Sequence, residues 1–377
     1  MLLFSLISNP YAKAGLDEFD HIMNHFPPAP DTIVAIAESL LDGIKDDIEI
    51  QDAIDNTHGP AIIDLPEGTF NLEDSVKLKS NIWIVGKGAD KTIVTINKAN
   101  KPAFTISPPE GETYRNIRFS NLMIDTTNQP YSNQGGGGIT YKADGSLEYL
   151  VFDGLNIKTE GGGQHGIVIS GDDGFCRFVK VTNSDITIGG LFSYGVLILK
   201  PTEYIMIQDN SVRVVQHTWD AFNSLAIYGG SKYFRVIDNH VEGRGHTGIA
   251  ISPGSYGEVS RNTVRGSFVS DEGCIEVERK KSHGIGGSHD ILVEENIVSE
   301  GNWGIYTHNR NKDSEFDPYN VTIRSNTIRD CRIGIYLHAG RNITLRDNIF
   351  EDCDQDVVTG AGIVWLTPAT LSKFSIE

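Results

Sequence analysis

Ionisable and aromatic residues recur at one fixed offset in the last third of the chain. They come in pairs with a single residue between them: Glu276 and Glu278, Tyr306 and His308, Tyr336 and His338. Alternation of apolar and other residues over four or five positions is typical of β-strands. Both members of a pair should therefore lie on one face of a strand, with Cα atoms ~6.6–6.8 Å apart. These residue types predict a patch able to move protons.

The histidines and tyrosines suit a groove that binds sugar chains. An imidazole such as that of His308 or His338 transfers protons near neutral pH. The rings of Tyr306 and Tyr336 offer apolar faces on which pyranose rings can pack. We therefore take both histidines, with Glu276 and Glu278, as candidate catalytic residues.

Cationic and acidic residues flank the same strands. Arg279 and Arg310 follow two of them and could hold a substrate carboxylate in bidentate geometry. His246 and Glu272 stand just before two of the strands. Together with the two tyrosines, these four residues are the candidate substrate-binding set.

The patch fits more than one function. A lyase acting on a uronate-containing glycan by β-elimination needs a carboxylate neutraliser, a base and an acid, which Arg, His and Tyr supply; this is the leading interpretation. Glu276 and Glu278 also suit a glycoside hydrolase, because the carboxyl groups of inverting enzymes lie ~6.5–9.5 Å apart. A non-catalytic adhesin or tailspike-like glycan binder is a third interpretation. A plain charge ladder, with Glu278 next to His308, is a fourth.

The elements that position these residues follow from an internal repeat. A five-residue phrase (small, apolar, any, apolar, any) returns nine times at intervals of 24 to 30 residues. Its first apolar residues are Ile139, Ile167, Val196, Leu225, Ile249, Ile275, Ile305, Ile335 and Ile363. Short strands repeating at such a period predict a solenoid rather than separate domains.

A second phrase alternates with the first and ends in asparagine. Its copies carry Asn210, Asn239, Asn262, Asn296, Asn326 and Asn348. A stacked asparagine at a fixed bend can bond its neighbour and the local backbone. The two phrases together predict an all-β, single-stranded right-handed parallel β-helix of about eleven coils with an N-terminal α-helical cap.

Several motifs in the first part of the chain carry a family resemblance. They are Asp42-Gly43, Asp46-Asp47 and Gln51-x-Ala53-Ile54, followed by Leu65-Pro-x-Gly68 and Gly86-x-Gly88. With the coils that follow, they resemble the pectate-lyase-like (pectin-lyase-fold) superfamily over about residues 42–366. The resemblance implies a β-helix, and an activity among polysaccharide lyases, glycoside hydrolases, uronan epimerases, fructotransferases and viral tailspikes.

The predicted boundaries follow from the same patterns. Residues 1–14 are interpreted as a signal-peptide remnant, because an apolar start precedes small residues at 12 and 14. Residues 15–57 are expected to form the helical cap, 58–366 the β-helix and 367–377 a C-terminal tail. We accordingly expect a secreted or cell-surface protein, with the periplasm as an alternative.

Composition restricts the partners. The formal net charge of −18 disfavours nucleic acid, and no apolar run is long enough for a membrane span. A polysaccharide or oligosaccharide substrate is expected, bound by a monomer or a homotrimer. No metal site or obligatory cofactor is predicted, although Ca²⁺ could bridge an acidic glycan to an acidic protein.

Two cysteines fall on neighbouring coils. Cys331 and Cys353 each follow a repeat asparagine by five residues, so they should lie one above the other. The ~4.8 Å strand spacing permits either a disulfide or two stacked buried thiols.

Overall fold

The computed structural model is a right-handed parallel β-helix, which confirms the fold predicted from the repeat. The structure describes residues 18–36, 45–130, 136–142, 144–159, 164–171, 174–189, 193–215, 223–243, 246–267, 272–280, 286–310 and 314–363. Within them the smaller of the two sheets has eleven strands, one for each coil, as the repeat count predicts.

Three rows of parallel strands form the wall of the solenoid. The first row comprises Val76–Leu78, Pro102–Ile106, Gly137–Lys142, His165–Ser170, Val196–Ile198, Leu225–Ile237, Ile249–Ser260, Gly273–Arg279, Trp303–Asn309, Ile333–Arg346 and Gln355–Ile363. The second row comprises Ile33–Ala35, Ala61–Asp64, Ile82–Val85, Thr113–Ser120, Ser146–Asp153, Cys176–Thr182, Thr202–Gln208, His289–Glu294 and Tyr319–Arg324, and shares the three longest strands of the first row. The third row comprises Gly68–Leu72, Thr92–Ile96, Met123–Asp125, Asn156–Thr159, Asp185–Ile188, Ser211–Val214, His240–Glu242, Thr263–Ser267, Ile297–Gly301, Thr327–Arg329 and Ile349–Glu351.

The apolar positions of the five-residue phrase fill the core. Ile139 pairs with Ile167, and the same register continues coil by coil to Ile305 and Ile335. The predicted stacking of phrase upon phrase is therefore confirmed for these eight copies.

The prediction is wrong for the ninth copy of the phrase. Val357, not Ile363, pairs with Ile335, and Ile363 pairs with Gly340 after a register shift near His338. The last coil is short, as the 22-residue step from Asn326 to Asn348 already indicates. The phrase at Ile363 matches the repeat in residue types, but it lies six residues beyond Val357, the residue that continues the column.

The N-terminal end of the solenoid contains a strand as well as helix. Ile33–Ala35 pairs with residues 62–64, so the region 15–57, expected to form the helical cap, also contributes a strand. Residues 18–24 and Asp46–Asp55 are helical. Asp46 accepts a hydrogen bond from the Asn71 N–H (2.6 Å), and Gln51 accepts one from the Lys77 N–H (2.8 Å). The second helix thus satisfies backbone groups at an otherwise open sheet edge.

The asparagine column is present as predicted. In each step the side-chain oxygen of one asparagine accepts bonds from the backbone N–H and the amide of the preceding one, as Asn296 does from Asn262 (2.9 and 3.0 Å). The bonds continue through Asn326 to Asn348. This ladder fixes the bend between the second and third rows.

Cys331 and Cys353 are free thiols, the first buried and the second half-buried. Among the helices that the structure describes, none is both long and apolar enough to cross a membrane. The residues before 18 and after 363, including the proposed signal remnant and tail, lie outside the described ranges.

Candidate active site

Three neighbouring strands of the first row bring the predicted pairs together. Glu276 pairs with Tyr306, which pairs with Tyr336, and Glu278 pairs with His308. Because side chains alternate along a strand, all five point away from the solenoid core on the same face. Glu272 and Arg310 lie at the ends of these strands, and with Glu276, Glu278 and His308 they form what we call the Glu–His–Arg cluster.

The cluster is buried, although its residues point outward from the solenoid. Glu276 is 1% exposed, Glu278 2% and His308 3%. The sequence predicts a substrate groove along these columns, and the structure encloses these three side chains instead of exposing them to solvent. Because these side chains are almost wholly removed from water, their charges need compensation by neighbouring charges or protons.

His308 lies between the two carboxylates of the neighbouring strand. Its Nε2 is 2.9 Å from Oε2 of Glu278 and 3.6 Å from Oε2 of Glu276, although its N–H is not well aligned with either oxygen. Burial alone would lower the pKa of His308, but its interactions with Glu276 and Glu278 raise it to about 9. The imidazole is therefore a cation at neutral pH.

Arg310 joins the other side of the cluster. Its Nε donates to Oε2 of Glu278 (3.0 Å), and its Nη2 donates to Glu272. A second contact of Glu272 is His246, whose Nδ1 lies 3.1 Å away. The guanidinium predicted to hold a substrate carboxylate is thus already paired with two carboxylates of the protein.

The pKa values of Glu272 and Glu276 are shifted in opposite directions. Burial, reinforced by the charge of Glu272, raises the pKa of Glu276 above its ordinary value. Burial also opposes ionisation of Glu272, but bonds from His246 and Glu276 and the charge of Arg310 hold its pKa well below the usual range. Glu276 is thus the proton-bearing carboxyl of the cluster.

Aromatic rings form one wall beside the cluster. The Tyr306 ring stacks on His308 (centroids 4.1 Å apart, planes at 11°) and on Tyr336 (5.3 Å, 14°). The ring centroid of Trp303 lies 4.2 Å from that of Tyr306, and Trp303 is not among the residues predicted from the sequence. Burial raises the pKa of Tyr306, so its hydroxyl stays protonated.

The opposite wall contains tyrosines that sequence reasoning missed. Tyr228 is fully buried. Burial and the neighbouring Tyr194 raise the pKa of its hydroxyl, and the charge of Glu278 adds to this shift. The signal was available, because Tyr228 pairs with the small Ser252 in the column that leads to Glu278. A small residue between two large ones lets the side chains approach across a coil.

Two further predicted residues lie beside aromatic rings. The guanidinium of Arg279 packs over the ring of Phe316 at 5.0 Å. His338 is exposed where the register shifts, with its ring 6.4 Å from that of Tyr306 and 5.8 Å from that of Tyr336.

The cluster also has the composition of a metal-binding group. One ligand atom from each of Glu276, Glu278 and His308 lies within 4.8 Å of the others. Two oxygens and one nitrogen suit a transition-metal ion better than Ca²⁺, which takes 6–8 oxygen ligands. However, Arg310 and the protonated His308 already supply positive charge to Glu278, so the protein compensates these carboxylates itself.

Comparison with family models agrees with the geometry. Residues 165–373 match the model described as right handed beta helix region. Residues 40–226 match the model described as rhamnogalacturonase A/epimerase, pectate lyase-like. Among curated protein sequences nothing matches this chain.

Solved structures share the fold at low sequence identity. An exopolygalacturonase from Thermotoga maritima is 15% identical, with a TM-score of 0.59 over 91% of this chain and 96% of that one. DFA-IIIase from Arthrobacter chlorophenolicus A6 is 14% identical, with a TM-score of 0.60 over 91% and 93%. The A-module of the mannuronan C-5 epimerase AlgE4 from Azotobacter vinelandii is 15% identical, with a TM-score of 0.51 over 86% and 96%. Identities this low show the shared fold alone.

Proposed function

Because the chain belongs to the right-handed β-helix, pectate-lyase-like superfamily, we propose that it is a carbohydrate-active enzyme that hydrolyses a glycosidic bond with Glu276 and Glu278. The observation that carries this proposal is the placement of the two carboxyl groups around His308, with one oxygen of each within 4.8 Å of the other. In superfamily members named for carbohydrate chemistry the same fold supports several reactions, so the assignment depends on these residues.

The two carboxyl groups are suited to different tasks. Glu276, whose pKa is raised by burial, is the general acid that protonates the leaving oxygen. Glu278 faces the cations His308 and Arg310 and is the ionised partner that attacks the anomeric carbon. Environments that push two carboxyl groups to different protonation states are what acid–base cleavage of a glycoside needs.

The spacing favours retention of configuration. In retaining glycosidases the carboxyl groups are ~5–5.5 Å apart, whereas inverting enzymes leave ~6.5–9.5 Å for a water molecule. The close approach of Glu276 and Glu278 therefore supports a glycosyl-enzyme intermediate on Glu278, which replaces the inverting pair suggested by the strand spacing alone. Substrate would approach from the rim, where Arg310 and His246 are partly exposed (32% and 27%).

β-Elimination, which the residue types alone favour, has less support from the geometry. A lyase needs a free base, but His308 is protonated and the pKa of Tyr306 is raised. It also needs a cation for the uronate carboxylate, and Arg310 is held by Glu272 and Glu278. Action outside the cell or in the periplasm, where polymeric glycans occur, is part of the proposal.

The test is a screen of the purified full-length chain against acidic and neutral polysaccharides. Reducing ends and the ultraviolet absorbance of unsaturated uronates are followed together. The proposal expects reducing ends to appear without that absorbance. Absorbance rising with reducing ends would establish a lyase instead, and binding without any cleavage would favour an adhesin-like role.

A further inference from the structure

A cleft opens at the ends of the first-row strands. It has a volume of about 670 Å³ and lies where the first row turns into the second. Its floor is made by glycines such as Gly254 and Gly287, and its wall by longer side chains of the second row. It shares no lining residue with the Glu–His–Arg cluster.

The wall of the cleft is one register column. Lys232 pairs with Ser255, Ser255 with His289, His289 with Tyr319, and Tyr319 with Arg341. Four steps of ~4.8 Å place the two cations at the ends roughly 19 Å apart. Ser255 is small, so the column is recessed between Lys232 and His289.

The cations of this cleft are not matched by lining carboxylates. Glu315 is the one acidic side chain among the described lining residues, and it is exposed. Arg341 packs on the Tyr319 ring at 5.3 Å and donates through Nη2 to the Glu315 carbonyl (3.1 Å). Among the residues that the structure describes, its buried Nε has no hydrogen-bond partner. In a chain of net charge −18, two cations facing one cleft favour an anionic occupant.

The remaining lining groups suit a sugar. Asn342 donates to the side-chain oxygen of Asn320 (2.7 Å), and Asn342 itself is exposed. Phe316 and Tyr319 add apolar ring surface. Amides, ring surface and fixed cations together can bind hydroxyl, apolar and carboxylate groups of one ligand.

We propose that this cleft is an accessory binding site for an acidic glycan, with carboxylate or sulfate groups bound near Arg341 and Lys232. The identification of the ligand as a glycan rests on the proposed function, but the anionic character rests on the cleft alone. The site supplies the cations for acidic sugar units that the Glu–His–Arg cluster cannot, since Arg310 is already paired.

One turn connects the two sites. Phe316 lines the cleft and also packs under Arg279, which follows Glu278 on its strand. Its neighbour Asp317 accepts a hydrogen bond from the amide of Asn309 (2.8 Å), next to His308. A glycan bound in the cleft therefore contacts a turn that packs against the strands of the cluster.

The test measures binding of the full chain to immobilised polygalacturonate, alginate and chondroitin sulfate, with dextran as the neutral control. Lys232→Glu and Arg341→Gln should each weaken retention on at least one polyanion about tenfold or more, the effect of losing one charge-assisted contact. The matched control is Lys77→Glu, which reverses an exposed lysine near the capping helix and should bind like wild type.

Glu276→Gln separates this proposal from the hydrolase proposal, because it should lower the kcat of cleavage by about 10²–10⁴ yet retain polyanion binding. Retention that falls as salt is raised would support an electrostatic site. Equal retention on dextran and on all three polyanions, or wild-type retention by both cleft variants, would overturn the proposal. Either of those results would leave the hydrolase proposal standing if reducing ends still appear.

Discussion

Nε2 of His308 lies 2.9 Å from Oε2 of Glu278 on the neighbouring strand, and both side chains are almost wholly buried. Glu276, two residues earlier on the strand of Glu278, lies 3.6 Å from the same nitrogen. The imidazolium favours ionisation of both carboxyl groups, but burial and the charge of Glu272 outweigh it at Glu276 and raise the pKa of that carboxyl. This relationship links the stability of the site to the chemistry proposed for it.

The stability of the protein should fall in alkaline solution. The folded pKa of His308, about 9, is above its unfolded value of 6.5, so its contribution is complete below pH 6.5 and is lost as pH rises through 9. The raised pKa of Glu276 acts in the same direction, because ionising that buried carboxyl opposes folding. Urea unfolding at pH 7 and pH 10 should differ by on the order of 3 kcal/mol. Glu276→Gln should flatten part of this dependence, and a wild-type profile that is flat over this range would contradict the assignment.

Removing the arginine of the cluster should be strongly destabilising. Arg310→Met leaves the buried carboxylates of Glu272 and Glu278 without their shared cation, at a cost of about 3–5 kcal/mol. Mild acid should recover part of the loss, because the orphaned carboxyl groups then take up protons. Arg265→Met removes the exposed partner of Glu300 and is the control, with little expected change in urea unfolding. Equal effects of the two substitutions would argue against a buried ionic network.

The asparagine ladder should be most sensitive in its middle. Asn296→Ala leaves the Asn262 N–H and the Val259 carbonyl unpaired in the interior, which costs about 2–4 kcal/mol in unfolding free energy. Asn348→Ala removes the last step of the ladder, which is half-buried. Because water can replace the bonds lost there, this substitution should lower the free energy of unfolding by less than half as much as Asn296→Ala does. Thermal and urea unfolding of the two variants check this order, and the reverse order would show that the ladder is not what stabilises the bend.

Hydrolysis should proceed with retention at the anomeric carbon. The close carboxyl groups of Glu276 and Glu278 leave little room for a water molecule between catalyst and substrate. NMR of the first product formed, before mutarotation, distinguishes the two outcomes. An inverted product would exclude Glu278 as nucleophile and would require a second carboxylate at greater distance.

The repeat predicted the fold because a β-helix repeats the same contacts in every coil. Ile275 and Ile305 had to stack once the phrase was recognised, and the register of Glu276 with Tyr306 followed from it. The burial of the cluster could not be predicted, because period-two alternation says which way Glu278 points but not what covers it. The roles of Arg279 and Arg310 were equally open, since both follow a strand and only three-dimensional contacts show that one meets Phe316 and the other Glu278.

The error at Ile363 has a related cause. Residue types alone cannot distinguish a phrase that continues a column from one that arrives after a shortened coil. Spacing between asparagines was the better guide there, because the ladder requires one asparagine for each coil.

The most direct test of the central claim compares Glu276→Gln with Glu148→Gln on a glycan that the wild-type chain cleaves. Glu148 is also a buried glutamate on a strand, paired with Arg115 and Arg177, but it lies in the second row and outside the cluster. Glu276→Gln should lower kcat by about 10²–10⁴ while the protein stays folded at neutral pH, because a neutral amide replaces a neutral carboxyl. Glu148→Gln should reduce stability and leave kcat unchanged. Wild-type kcat in Glu276→Gln, or an equal loss of kcat in both folded variants, would contradict the account.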